Sequence, residues 1–147
     1  MSLIVGIGTA KEHDAHGAGF AAARAALEQA GIGRPTQLLL FASSLYDQEA
    51  LIRGVRDATE NAPLVGCSTA EVVTNDGAMD HAVAIVALAG DPLSFSSGIG
   101  LMKNSAHAAG VLVGQEIRTH AAEESNGLLL FANMLSIGAA ESLDGLQ

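Results

Sequence analysis

The chain repeats itself, and this repetition restricts its fold more than any other feature of the sequence. Gly6-Ile7-Gly8 with Lys11 returns as Gly98-Ile99-Gly100 with Lys103, and His16 and Gly19 return as His107 and Gly110. Leu38-Leu39-Leu40-Phe41-Ala42 returns as Leu128-Leu129-Leu130-Phe131-Ala132. Three matches in one order, at a near-constant spacing of about 91 residues, point to duplication of one β-α-β-α-β unit. Ile52-Arg53-Gly54 then corresponds to Leu143-Asp144-Gly145, and the counterpart of the stretch from Pro63 to Glu71 is missing. The expected architecture is α/β: a mixed sheet with helices, built from a duplicated unit whose second copy is incomplete. We expect residues 1–147 to form a single-domain fragment of a longer protein, with copy one at about 1–90 and partial copy two at about 91–147. An unfilled strand position exposes a sheet edge and apolar helix faces, which favours homodimerisation or swapping.

Local patterns assign the elements. Leu3 to Gly8 is a short apolar run and predicts a strand. His16 to Gly31 places Phe20, Ala23, Leu27 and Ala30 at helical spacing before a terminating glycine. Leu38 to Phe41 is too short for a buried helix and predicts a buried strand. Ser44 stands three residues before Asp47, a capping-box variant, ahead of a helix through Leu51, Val55 and Ala58 to about Thr59. Pro63 opens the next apolar run, Leu64-Val65-Gly66. Asn75-Asp76-Gly77 is a turn signal that makes a hairpin with the strand from Ala82 to Leu88. Leu93 to Gly100 predicts a further strand, followed by an Asn104 or Ser105 cap and a helix to about Ala121.

Composition narrows the function classes. Apolar residues make up 49%, with no Trp, one Tyr and four Phe, so the core must be aliphatic and rich in alanine. The formal charge of -9, from 16 acidic residues against seven Lys and Arg, argues against nucleic acid as a partner, as does the scarcity of stacking aromatics. No apolar run approaches the roughly 20 residues of a membrane span, and the start has no signal-peptide pattern. A lone cysteine cannot form an internal disulfide, which fits a cytoplasmic setting.

That cysteine is the main candidate for chemistry. Cys67 stands at the end of the apolar run in Gly66-Cys67-Ser68-Thr69, with Glu71 two residues beyond, and strand ends of this kind in open α/β sheets often hold ligands. It is a nucleophile, a ligand-contacting residue or a packed side chain. A nucleophilic thiol needs a base or positive surroundings, and no histidine lies within ten residues on either side. Glu12-His13-Asp14-Ala15-His16 has metal-ligand residue types but no second cluster to complete a site, so no metal and no cofactor is expected. Gly6-Ile7-Gly8 begins like a dinucleotide fingerprint, yet Lys11 occupies the position of the third glycine.

The block from Leu38 to Leu88, and above all Gly66-Cys67-Ser68-Thr69-Ala70, resembles the FIST N domain. The motif here departs from the Gly-Cys-Ser-Thr-Ala-Gly-Glu type, since Ala70 is followed directly by Glu71. The resemblance implies a sensory input domain of a bacterial signal-transduction protein that binds a small ligand such as an amino acid. It implies a FIST C domain and a signalling output module in the longer protein, and no catalytic residues. Gly66, Cys67, Ser68, Thr69 and Glu71 carry over as the ligand-facing motif. The alternative is a cysteine-dependent enzyme of thiolase-like outline with Cys67 as nucleophile, an analogy at the level of the fold.

Overall fold

The computed structural model describes residues 2–75, 77–91, 94–101, 105–120, 127–131 and 139–146. It divides into two compact units, Met1–Leu93 and Ser94–Gln147.

Unit 1 is a four-stranded mixed sheet with two helices on one face. In chain order it comprises β1 (Ser2–Ala10), α1 (Ala15–Ala30), β2 (Gln37–Ser43), α2 (Gln48–Thr59), β3 (Leu64–Thr69), β4 (Val72–Thr74), β5 (Gly77–Met79) and β6 (Val83–Asp91). The sheet order is β1-β6-β2-β3, with β6 antiparallel to both neighbours and β3 parallel to β2. Two helical crossovers therefore place β1, β2 and β3 parallel, as β-α-β units require. The later strand β6 enters between the first two.

Small residues set the spacing of the layers. Ala18, Ala22, Ala23 and Ala26 are fully buried along α1. A Cβ on Gly8 of the underlying strand would collide with the Ala22 carbonyl. Leu38, Leu51, Val55, Val83 and Ile85 fill the remaining space between helices and sheet. The helices cross at glycines: a Cβ on Gly19 would strike the Leu51 carbonyl, and one on Gly54 would strike the His16 carbonyl. Such contacts bring the two backbones closer than any larger residue permits.

The helix ends follow their local chemistry. Asp14 caps α1 by accepting from the Gly17 amide at 2.6 Å, and Gly31, at φ 65°, closes it in the left-handed conformation. Asp47 caps α2 by accepting from the Ala50 amide at 3.0 Å. The capping box expected from Ser44 does not form. The Ser44 amide instead donates to the Thr69 carbonyl at 2.9 Å, tying the ends of β2 and β3 together.

The turn around Asn75 and Gly77 joins β4 to β5 in a small separate hairpin, whereas β6 goes to the main sheet. Here the expected hairpin is corrected. After only three residues β5 ends, and Asp80-His81 redirects the chain into the wide space between β1 and β2. Val72 and Met79 of the hairpin pack with Ala82 and Ala84, forming a second, smaller core.

Unit 2 contains α3 (Ala106–His120) and α4 (Ala139–Leu146). Ser105 caps α3, accepting from the Ala108 amide at 3.2 Å. The alternative cap Asn104 lies outside the described residues, as do Leu93 and Ala132. A Cβ on Gly110 would strike the Ser142 carbonyl, and one on Gly145 would strike the His107 carbonyl. These are the crossing contacts of unit 1 again, each 91 residues on. The strands expected over Leu93 to Gly100 and over Leu128 to Ala132 are not formed: residues 94–101 and 127–131 are described and belong to no strand. In unit 1 the corresponding segments are held by a strand between them. Unit 2 has no such strand among its described residues.

Candidate functional site

Strand alternation and register determine which motif residues meet. Phe41 of β2 pairs with Cys67 of β3 on one side and Ala84 of β6 on the other. Successive side chains point to opposite faces, so this row shares the face turned away from α1 and α2. The hairpin closes one side of the row through Val72 and Val73. The result is an open depression of about 340 Å³ lined by Phe41, Cys67, Thr69, Glu71, Val72, Val73 and Ala84. It lies toward the carboxyl ends of the parallel strands β2 and β3, where loops rather than pleat shape the surface.

The five motif residues are therefore divided. Cys67, Thr69 and Glu71 line the depression. Ser68 pairs with Ala42, whose side chain joins the helix-side core, so Ser68 belongs to the opposite face, where it is exposed. Gly66 pairs with Leu40 and shares that opposite face. A Cβ there would collide with the Leu40 carbonyl, so its role in this structure is close strand packing.

Polar groups at the rim are fixed by short bonds. The Thr69 hydroxyl donates to the Glu71 carbonyl at 2.9 Å, bracing the tight passage from β3 into β4 without the glycine that the related motif carries. The Glu71 side chain is exposed at the edge. Cys67 is half-buried, and burial pushes its thiol above the ordinary value, so the protonated form dominates at neutral pH. Among the described residues there is no group of three or more His, Cys, Asp or Glu placed to hold a metal ion.

The same edge of the sheet has a support that sequence reasoning missed. Tyr46 is buried, its hydroxyl donating to the Glu12 carbonyl at 2.8 Å and lying 3.2 Å from the His81 carbonyl. Its ring stacks on His81 with centroids 4.1 Å apart. One side chain thus links the loops after β1, after β2 and before β6. The available signal was its singularity, the only tyrosine of a chain nearly devoid of aromatic residues. Phe41, Val72, Val73 and Ala84 were also missed as lining residues, though Phe41 stands in the apolar strand at the parity that register later pairs with Cys67.

Fold and site together define an α/β domain with a mostly apolar, carboxylate-rimmed depression and no metal-ligand cluster among its described residues. The FIST N domain family is matched over residues 36–147, and the chain belongs to that family, a family of sensory signal-transduction domains that respond to small ligands. No curated protein matches the sequence. Among solved structures, the FtsZ W319Y mutant of M. jannaschii is similar at 17% identity, TM-score 0.37, covering 58% of this chain and 26% of that one. The empty FtsZ dimer of M. jannaschii is similar at 16% identity, TM-score 0.36, covering 59% and 26%. The chain spans about a quarter of either FtsZ chain, and likeness at these scores carries no argument. No described helix is long and apolar enough to cross a membrane.

Proposed function

We propose that this chain is the cytoplasmic small-molecule-sensing domain of a bacterial signal-transduction protein, and that it binds an amino acid or similar metabolite in the depression beside Cys67. The observation that carries this reading is the convergence of Cys67, Thr69 and Glu71 with Phe41 and Ala84 on one concave surface. An aliphatic side chain fits against Phe41, Val72 and Ala84. The Glu71 carboxylate supplies a charge-assisted acceptor for an ammonium group at the rim. In the longer protein a FIST C domain and an output module would receive the signal.

The cysteine-enzyme reading gains no support from the geometry. A thiol raised by burial is a poor nucleophile at neutral pH.

A thermal-shift series against the twenty amino acids tests the proposal. A ligand at about 100 times its dissociation constant adds about 2.7 kcal/mol, on the order of 10 °C for a chain of this size. The expected outcome is a selective upward shift that Glu71→Gln reduces. Cooperative melting with no shift for any amino acid would overturn the amino-acid assignment.

A further inference from the structure

We propose that the depression beside Cys67 is selective for a short aliphatic primary amine, a cation without a carboxylate, and binds it in preference to the amino acid of the same side chain. This selectivity rests on the depression being the ligand site and narrows the class of metabolite that the site takes. Each polar side chain of the lining has a fixed hydrogen-bonding role. The Glu71 carboxylate, exposed at the rim, carries only acceptors. The Thr69 hydroxyl has a single proton, which it gives to the Glu71 carbonyl at 2.9 Å, so the oxygen has only lone pairs left for a ligand. Cys67, held as the thiol by burial, is a weak donor and a weak acceptor. The polar lining is thus a set of acceptors around one weak donor.

An ammonium group is the complement of that set, with three N–H donors and no acceptor. A carboxylate is its opposite, because it requires donors and brings a second negative charge to the rim. In an α-amino acid both groups sit on one carbon, so seating the ammonium on Glu71 holds the ligand's carboxylate within a few ångströms of the same side chain. Like charges at that separation on a partly wetted surface lower the affinity by about tenfold. The field of the whole chain acts in the same sense, since 16 acidic residues against seven Lys and Arg attract cations and repel anions.

The apolar part of the lining sets the rest of the ligand. Phe41, Val72, Val73 and Ala84 form the remaining surface of the depression. A short hydrocarbon chain packs against these side chains, whereas a second ammonium, as in a diamine, would be pressed against them without a partner. The ligand therefore carries its charge at one end and a small aliphatic body at the other.

The test is titration calorimetry of the full 147-residue chain with two matched sets of compounds: leucine, isoamylamine and isocaproate, and valine, isobutylamine and isovalerate. Members of a set share the hydrocarbon and differ only in their charged groups. In each set the amine should bind about tenfold more tightly than the amino acid, and the carboxylate more weakly than both. Glu71→Gln should weaken the amine up to about fivefold, as loss of an exposed charge pair does. Glu49→Gln, which removes the same charge from α2 on the other face of the sheet, should leave the amine's affinity unchanged. Amino acids that bind as tightly as the amines, and that Glu71→Gln still weakens, overturn the amine selectivity and leave the depression as the ligand site. Binding of no compound in either set, or binding that Glu71→Gln leaves unchanged, overturns the depression as the site and the amine selectivity with it.

Discussion

Replacing Gly54 by alanine sets two opposing effects against each other at a single atom. Gly54 lies inside α2, where alanine is favoured over glycine by about 1 kcal/mol on backbone grounds alone. The added Cβ, however, would collide with the His16 carbonyl oxygen and sit 2.9 Å from its carbon and 3.0 Å from the Phe20 amide nitrogen. All three atoms are backbone, so no side chain can rotate away and the helices themselves must separate. Overpacking of this kind typically costs about 1–3 kcal/mol, and here Gly19 holds the same crossing tight against Leu51. The net expectation for Gly54→Ala is a destabilisation of up to about 2 kcal/mol once the propensity gain is subtracted. In urea this lowers the midpoint by up to roughly 1 M at an m-value typical of a small domain. Circular dichroism follows the transition, and exchange of the β2 and β6 amides reports unit 1 separately. Gly33→Ala is the control: a Cβ there meets nothing within 4 Å, and its effect should be neutral or stabilising by up to about 1 kcal/mol. A Gly54→Ala midpoint at or above that of Gly33→Ala would refute the assignment of this glycine to helix contact.

Three further outcomes follow from the site and its supports. Thr69→Ala should weaken ligand binding roughly five- to tenfold, by freeing the passage to Glu71, whereas Ser68→Ala on the other face should leave it unchanged; titration calorimetry separates the two. Iodoacetamide labelling of Cys67 should follow a pH profile displaced above the thiol's ordinary 9.0, in the direction burial imposes. A raised folded-state value means that stability is fully present below the ordinary value and lost as pH rises through the folded one, so Cys67→Ala should flatten the alkaline fall in stability. Asp47→Ala should cost about 1 kcal/mol through the α2 cap, and Asp47→Asn should restore most of it, read from thermal melts.

Unit 1 was largely legible because its signals were local. Alanine and leucine spacing marked α1, and Gly31 marked its end. The depression was only half legible, since the motif names five consecutive-looking residues while pleating turns Gly66 and Ser68 to the other face. Register across β2 and β6 decides the rest, and register is a non-local property. The Ser44 cap failed because Asp47, already at the helix start, offers a carboxylate with better reach. The apolar runs of unit 2 looked identical to strands, but an apolar run becomes a strand only when a neighbour accepts its backbone hydrogen bonds.

The position of β6 also dictates when unit 1 can assemble. Residue 2 pairs with residue 91 and the register runs inward from there, so β1 has no strand partner until the end of the unit has been synthesised. At about 5–20 residues per second, the chain spends several seconds with β1 and α1 made and no sheet to join. The β2 and β3 pair can dock sooner, across a single helix. Leu3, Val5 and Ile7 of β1 remain partly exposed even after folding, and they are fully so during that interval. Pairing at such sequence distance is slow to nucleate, which leaves the nascent first strand in need of shielding until its partner emerges.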